Sequence, residues 1–219
     1  MREPADLAVF DLDGTLTKRD TLIPYLAGFL RRHPRRLVRI PRLIAATAAY
    51  GAGRMSNTAL KEAFLSAVLG GMTRDVLHSW TQTFTDRLIA SGFRPDAVCK
   101  LRWHRASGHY IVIMSASVDL YVRPLGQLLG VDEVLCTEVE WQDERLTGRF
   151  ATPNCSGTEK VRRLEILMER LAPQSVWAYA DRRSDIPLLQ RATHAHLVNA
   201  SSRVRTLADR CGVRTVTWR

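Results

Sequence analysis

The fold of this chain is decided by Leu7-Ala8-Val9-Phe10-Asp11-Leu12-Asp13-Gly14-Thr15-Leu16-Thr17, near the start of its 219 residues. The first four residues form a short apolar run, which is typical of a strand buried on both faces of a parallel sheet. The polar residues that follow predict a loop at the carboxyl end of that strand. Because active sites of open parallel sheets lie at this edge, Asp11 and Asp13 are the first candidates for chemistry.

Two later apolar runs end in polar residues in the same way. Tyr110 to Met114 leads into Ser115-Ala116-Ser117, and Ser175 to Tyr179 ends at Ala180-Asp181. Helical segments alternate with these predicted strands. The alternation predicts an α/β fold with a Rossmann-like core and a parallel sheet.

A long helical stretch interrupts this alternation after the first strand. From residue 21 to about residue 93, helical segments are punctuated by prolines and glycines, without the alternation of a strand. We therefore expect an α/β core domain made of residues 1–18 and 96–219, and a helical cap domain inserted at residues 19–95. Farther on, residues 134–141 and 146–150 flank a turn-like Asp143-Glu144 and predict a β-hairpin.

The predicted strand ends bring four carboxylates, a hydroxyl and an ammonium group to one edge of the sheet. They belong to Asp11, Asp13, Ser115, Lys160, Asp181 and Asp185. Oxygen ligands without histidine or cysteine favour Mg²⁺, and the ammonium group suits an anionic substrate. Taken singly, each residue has an ordinary structural explanation, such as a turn cap or a solvated lysine. The set in this order is far more specific for a site.

The motifs resemble those of the haloacid dehalogenase superfamily in its phosphatase form. The stretch from Asp11 to Thr17 is similar to the first motif, Ser115 after four apolar residues to the second, Lys160 to the third and residues 181–185 to the fourth. The insertion between the first two motifs resembles the type-1 cap of subfamily IB, which holds phosphoserine phosphatase-like and phosphatidylglycerophosphatase C-like enzymes. Ala180 departs from the glycine or serine that relatives usually carry there.

This resemblance implies a phosphatase that works through an aspartyl-phosphate. Asp11 would be the nucleophile, and Asp13 would act as general acid on the leaving oxygen and then as general base on water. Lys160 would cancel charge on the phosphate.

The resemblance also implies Mg²⁺ as the cofactor. The ion would be held by Asp11, the Asp13 carbonyl and Asp181, with Asp185 positioning either Lys160 or a water of the ion. Ser115 and the Ala116 amide would bind phosphate oxygens.

The predicted cap is strongly basic. The chain has 32 lysines and arginines against 22 acidic residues, and no acidic residue lies between Asp20 and Glu62. This stretch carries Arg31, Arg32, Arg35, Arg36, Arg39, Arg42, Arg54 and Lys61. One interpretation is a solvated basic loop between cap helices. The interpretation we favour is peripheral contact with an anionic membrane through Arg31, Arg32, Arg35, Arg36, Arg39 and Arg42, because these alternate with apolar segments.

Two substrate classes stay open for the predicted phosphatase. The basic, apolar cap resembles that of phosphatidylglycerophosphatase C and favours a lipid-linked or other small phosphomonoester. Asp20 stands where phosphoserine phosphatases carry a glutamate that meets the substrate amine, so a soluble metabolite such as phosphoserine is the alternative. Lys61 would then bind the substrate carboxylate, although it lacks the planar fork of an arginine. A non-catalytic protein with this fold that binds nucleic acid or a membrane is a remote alternative. Nucleic-acid binding is disfavoured because few aromatic residues accompany the positive charge.

The composition argues against a secreted or membrane-spanning protein. Its longest apolar candidate, residues 43–53, is flanked by arginines and is shorter than the roughly 20 residues of a bilayer span. The N-terminus shows no pattern of an export signal. Four scattered cysteines predict buried thiols in a reducing compartment. We expect a cytoplasmic protein, with peripheral contact at the inner face of the membrane.

Overall fold

The computed structural model of the chain describes residues 6–219, and an α/β sheet forms its centre. Six strands make up this sheet: β1 (Leu7–Phe10), β2 (Tyr110–Val118), β3 (Glu133–Thr137), β6 (Val176–Ala180), β7 (His194–Val198) and β8 (Arg214–Val216). Their order is β3-β2-β1-β6-β7-β8, and every neighbouring pair is parallel. The predicted α/β class and parallel sheet are confirmed.

The first strand lies in the interior of the sheet and contributes side chains to both faces. Ala8 and Phe10 belong to one apolar cluster, and Leu7 and Val9 belong to another. This division follows from the period of two along a strand. The helices that cover the sheet are α5 (Pro95–Ala106), α6 (Asp119–Leu129), α7 (Thr158–Leu171), α8 (Ile186–Leu189) and α9 (Ser202–Arg210).

The insertion between β1 and α5 is helical, as predicted. It forms α1 (Leu22–Arg32), a 3-10 helix (Pro34–Arg39), α2 (Ile40–Gly51), α3 (Asn57–Leu69) and α4 (Arg74–Ser91). An antiparallel bridge between Thr17 and Phe93 joins the two ends of this insertion. Tyr25 and Phe84 of the insertion pack on Tyr121 of α6, with ring centroids 4.8 and 5.4 Å away. The insertion is therefore anchored on the core by aromatic contacts.

The predicted hairpin is present, but its first strand is shorter than expected. Residues 134–141 are divided between β3, which joins the main sheet, and β4 (Val139–Gln142), which pairs antiparallel with β5 (Arg145–Phe150). The chain turns at Glu138, whose N–H donates to Thr152 Oγ1 over 3.0 Å instead of continuing the ladder of β3. The prediction of one continuous strand was therefore wrong.

The hairpin packs on the insertion through a glycine. Gly148 has a φ of +90°, and a Cβ there would lie 2.4 Å from the backbone nitrogen of Ser66 on α3. Only glycine therefore allows β5 to approach the backbone of α3 so closely.

Cysteine burial differs from the expectation at two positions. Cys136 and Cys155 are buried, whereas Cys99 is exposed and Cys211 is half-buried. Burial raises the pKa of Cys136 to about 12 and that of Cys155 to about 11. These two thiols are consequently poor nucleophiles. The prediction of a buried thiol was wrong for Cys99, because it lies on the outward face of α5.

A buried histidine lies between α5 and the sheet. His104 is fully buried, and its Nε2 lies 3.0 Å from the Tyr179 hydroxyl. Its Nδ1 lies 2.8 Å from Nδ1 of a second histidine, His109. Burial, aided by the nearby His109, lowers the pKa of His104 to about 3 from an ordinary value of 6.5. The folded protein therefore holds His104 neutral.

Stability is expected to depend on pH through this residue. Between about pH 6.5 and pH 3 the unfolded chain binds a proton at His104 that the folded chain does not, so stability falls as the pH falls through this window. In urea unfolding followed by circular dichroism, His104→Gln should flatten this slope. The control is His78→Gln, which changes an exposed histidine. Equal slopes in the wild type and in His104→Gln would contradict this assignment.

Candidate active site

The carboxyl end of β1 places Asp11 at the centre of the candidate site. Asp11 is buried, and its N–H donates to the Tyr179 carbonyl of β6 over 2.9 Å. Lys160, in the first turn of α7, reaches the same place. Its Nζ lies 2.6 Å from Asp11 Oδ1 and 3.2 Å from Asp185 Oδ1. The strand end and the helix start therefore form a buried, charge-paired centre.

Lys160 keeps its charge in this centre although only 2% of the residue is exposed. Burial alone lowers the pKa of a lysine, but the Asp11 and Asp185 carboxylates outweigh it and raise the pKa of Lys160 above its ordinary value. One fixed positive charge consequently serves two carboxylates.

Three carboxylates lie close enough together to hold a cation. One oxygen each of Asp11, Asp181 and Asp185 lies within 4.8 Å of the others. Burial, with the charge of Asp11, raises the pKa of Asp181 to about 7, and burial also raises the pKa of Asp185. Asp181 Oδ1 is buried and makes no hydrogen bond with residues 6–219. A divalent cation would satisfy this oxygen and offset the repulsion, so the donor set fits Mg²⁺.

A glycine of the first motif makes room for this cluster. Gly14 has a φ of +82°, and a Cβ there would lie 2.2 Å from Asp181 Oδ2. The tight turn of residues 12–16 therefore brings its backbone against the carboxylate of Asp181.

Asp13 is buried in a separate set of hydrogen bonds. Its Oδ1 accepts from the N–H and the hydroxyl of Thr21 over 2.7 and 2.6 Å, and its Oδ2 accepts from Ser117 Oγ over 2.5 Å. Burial, followed by the charges of Asp20 and Asp11, raises the pKa of Asp13 to about 6. The side chain is thus set apart from the three clustered carboxylates, and a metal contact through the Asp13 carbonyl stays a prediction.

A cavity of about 380 Å³ opens beside these carboxylates. Its wall includes Ala116 and Ser117 from the end of β2, and Lys61 from α3. Lys61 Nζ donates to the Ala116 carbonyl over 2.9 Å and lies 3.4 Å from Asn154 Oδ1. Burial lowers the pKa of Lys61. The insertion therefore supplies a cation to the cavity, and that cation binds the end of β2.

The two remaining predicted residues are Ser115, which precedes the cavity-lining Ala116, and Asp20, which lines the cavity itself. Ser115 is buried, and its Oγ accepts from the Ser117 N–H over 3.1 Å. Asp20 lies at the mouth, where Oδ1 accepts from the first N–H of α1 over 3.0 Å and Oδ2 lies 3.3 Å from Arg182 Nη2. The structure therefore gathers the predicted set into one region: Asp11, Asp13, Asp20, Lys61, Ser115, Ala116, Lys160, Asp181 and Asp185.

Three contact residues were missed by the sequence reasoning. Thr21 and Ser117 bind the Asp13 carboxylate, and Asn154 meets Lys61. Ser117 had a usable signal, because it lies two residues after Ser115 and so shares its face of the strand. Thr21 and Asn154 had none, because they reach the site from loops.

Known proteins share both the sequence and the fold. Protein CicA of Caulobacter vibrioides is 35% identical over 186 residues, which cover 84% of this chain and 81% of that protein. A phosphoserine phosphatase of Albidiferax ferrireducens is 26% identical over 149 residues, 65% of this chain and 60% of that one. The crystal structure of a Bordetella pertussis protein of unknown function matches with a TM-score of 0.84 at 26% identity, and covers 97% of this chain and 98% of that one.

The family match covers most of the chain. Residues 8–190 match the haloacid dehalogenase-like hydrolases, a span that contains all the site residues described above. The resemblance expected from the four motifs is confirmed. The chain belongs to the haloacid dehalogenase-like hydrolase family.

Proposed function

We propose that this protein is a Mg²⁺-dependent phosphomonoesterase that forms an aspartyl-phosphate, an acyl phosphate, on Asp11. The observation that carries the proposal is the buried centre in which Lys160 pairs with Asp11 beside the Asp181 and Asp185 carboxylates. Such a centre combines a nucleophile, fixed positive charge and a set of cation ligands. The phosphatase relative supports the same reaction class.

The chain's own residues would divide the reaction into two displacements. An Asp11 oxygen attacks phosphorus, the bond to the ester oxygen breaks, and the Asp13 carboxyl gives its proton to the departing alcohol. The Asp13 carboxylate then takes a proton from water, whose oxygen attacks phosphorus. The bond between phosphorus and Asp11 breaks, and inorganic phosphate leaves. A pKa of about 6 for Asp13 supports this double role, because both protonation states are accessible near neutral pH.

The phosphate would be bound by charged side chains and by the end of β2. Lys160 would neutralise one phosphate oxygen, and Ser115 with the Ala116 N–H would bind others. Mg²⁺ bound by Asp11, Asp181 and Asp185 would supply the further positive charge that lets an anionic nucleophile approach a phosphate dianion.

We propose that residues 19–95 act as a cap that selects the substrate. Leu22, Ile23 and Leu60 from this insertion line the cavity beside Lys61. Ile23 is also half-exposed at the surface. An apolar wall next to the reacting carboxylates favours a phosphomonoester with an apolar part, such as a lipid-linked phosphate.

A surface of the insertion supports a membrane-bound substrate. Val38 is 79% exposed and Ile44 is 65% exposed, and Leu37, Ile40 and Tyr50 are exposed beside them. Exposed arginines accompany these side chains, and the stretch from residue 21 to residue 61 has no acidic residue. Apolar side chains with flanking cations match the surface of an anionic bilayer. Within residues 6–219, no helix has the length and apolar character that crossing a membrane requires.

Not every predicted membrane arginine is free for this role. Arg36 donates to the carbonyls of Val68 and Gly70 over 2.8 and 3.0 Å, and Arg39 lies near the carbonyl of Ala67 at 3.4 Å. These two side chains cap the carboxyl end of α3, where cations stabilise a helix. Arg32 is exposed but is also engaged, because it donates to Thr83 Oγ1 over 3.2 Å and lies 4.9 Å from the centroid of the Trp80 ring. The membrane proposal therefore rests on Arg31, Arg35 and Arg42, which are exposed.

Replacing Arg31, Arg35 and Arg42 together with glutamine should weaken binding to vesicles that contain phosphatidylglycerol. Each lost arginine removes about 1 kcal/mol of attraction, so we expect a drop of roughly a hundredfold at low salt. The control replaces Arg102, Arg203 and Arg210, which are exposed outside the insertion. Equal loss in both triple variants, measured by vesicle sedimentation, would contradict the docking surface.

The reaction itself is tested by phosphate release from a panel of esters. The panel holds phosphatidylglycerophosphate, lysophosphatidic acid, phosphoserine, sugar phosphates and p-nitrophenyl phosphate, each with Mg²⁺ or with EDTA. We expect release with Mg²⁺ only, and preference for a lipid phosphate. Preference for phosphoserine would contradict a lipid substrate and would favour a soluble metabolite as the substrate. Release from no ester would contradict the phosphatase.

A further inference from the structure

An arginine of the fourth motif lies at the mouth of the active-site cavity. Arg182 follows Asp181 directly, at the end of β6, and its side chain lines the cavity together with that of Lys61. The Arg182 guanidinium is 3.3 Å from Asp20 Oδ2 and 4.0 Å from Asp181 Oδ1. It thus extends from the core to the start of the insertion, across the entrance.

The contact between Arg182 and Asp20 is easily exchanged. Both side chains are about half-exposed, and an exposed ion pair of this kind contributes little to stability. Asp20 keeps a second partner when the pair opens, because its Oδ1 accepts from the Leu22 N–H. An anion that enters the cavity can therefore replace Asp20 on the guanidinium at small cost.

The same cavity contains a second cation, Lys61, with spare hydrogen-bonding capacity. An ammonium group has three donors, and Lys61 directs them at the Ala116 carbonyl and, more weakly, at Asn154. Lys160, by contrast, is paired with Asp11 and Asp185 and is assigned to the reacting phosphate. The other two cations that line this cavity, Arg182 and Lys61, have no assigned role in binding that phosphate.

We propose that Arg182 binds a second anionic group, on the alcohol part of the substrate, and so determines specificity. This inference rests on the proposed phosphatase function. It narrows the substrate class to phosphomonoesters that carry a second anionic group, either a carboxylate or a phosphate diester. The planar guanidinium fits either group through two parallel hydrogen bonds. Asp20 holds the guanidinium across the entrance until that group arrives.

The test compares esters with and without a second anion. Phosphoglycolate and ethyl phosphate differ by a carboxylate on a soluble substrate. Phosphatidylglycerophosphate and phosphatidic acid, in mixed micelles, differ by a phosphate diester together with the glycerol that it joins to the lipid. For each pair, kcat and KM are measured with Mg²⁺ for the wild type, for Arg182→Gln and for Arg183→Gln. Arg183 is the matched control, since it is the adjacent exposed arginine of the same loop.

The wild type should prefer the doubly anionic member of at least one pair. Arg182→Gln should lower that preference about ten- to a hundredfold, mainly through KM, because a charge-assisted hydrogen bond is lost. Arg183→Gln should leave the preference unchanged. Asp20→Asn, which keeps an acceptor for Leu22, should lower KM for the doubly anionic member. The preference of Arg182→Lys for the doubly anionic member should lie between the preferences of the wild type and of Arg182→Gln.

Three results would overturn the inference. They are a wild type without preference in either pair, an equal loss for both members of a pair in Arg182→Gln, and the same change of preference in Arg183→Gln. An equal loss would mean that Arg182 acts on Asp181 instead of on the substrate. These results are distinct from a wild type that hydrolyses none of the esters, which would contradict the proposed phosphatase itself.

Discussion

Asp11→Asn is expected to lower kcat by at least about 10⁴-fold. The amide that replaces the carboxylate is a poor nucleophile for phosphorus, and it also weakens the cation site that Asp11 shares with Asp181 and Asp185. Lys160 keeps its contact with Asp185 at 3.2 Å in this variant, so the charge of the lysine stays paired. We therefore expect the far-ultraviolet circular dichroism spectrum to be that of the wild type.

The control for this variant is Asp209→Asn, which changes an exposed aspartate on α9. It should retain wild-type kcat with p-nitrophenyl phosphate and Mg²⁺. An Asp11→Asn protein with substantial turnover, purified free of wild type, would remove Asp11 from the nucleophile's role.

Lys160→Met should cause the second-largest effect, because it reduces both activity and stability. Removing one partner of a buried ion pair leaves uncompensated charge, which typically costs about 3–5 kcal/mol of unfolding free energy. Here the loss leaves Asp11 and Asp185 facing each other without a cation. The destabilisation should shrink as the pH falls, because protonation then neutralises the buried carboxylates.

Urea unfolding across a range of pH measures this effect, with Lys18→Met as the control. Lys18 is exposed and donates one hydrogen bond, to the Ser91 carbonyl over 3.0 Å. The double variant Lys160→Met with Asp185→Asn should recover part of the lost stability, since it removes one unpaired charge. A Lys160→Met protein as stable as Lys18→Met would show that the buried pair contributes nothing.

The sequence was sufficient for the core and for most of the candidate site. Continuous apolar runs such as Leu7–Phe10 predict strands covered on both faces, and strand ends in a parallel sheet meet at one edge. Asp11 and Asp181 could therefore be placed together before any contact was known. The position of these side chains was predictable because it depends on strand ends, which the hydrophobic pattern locates.

Features that depend on tertiary contacts were not predictable. The division of residues 134–141 into two strands depends on a hydrogen bond from Glu138 to Thr152. The role of Arg36 depends on where α3 ends in space, and the pairing of Asp13 with Thr21 depends on how the insertion returns to the core. Periodicity reports which face is buried, not which loop lies opposite.

The most direct test of the account is to look for the phosphate on Asp11. Asp13→Asn enzyme, mixed with excess p-nitrophenyl phosphate and Mg²⁺ and then quenched in acid, is examined by intact mass and peptide mapping. This leaving group departs without a general acid, whereas release of phosphate from Asp11 needs the missing base, so the intermediate should accumulate. We predict a burst of one p-nitrophenol per enzyme and a phosphorylated Asp11. Steady turnover with no burst and no phosphoprotein would contradict a covalent intermediate.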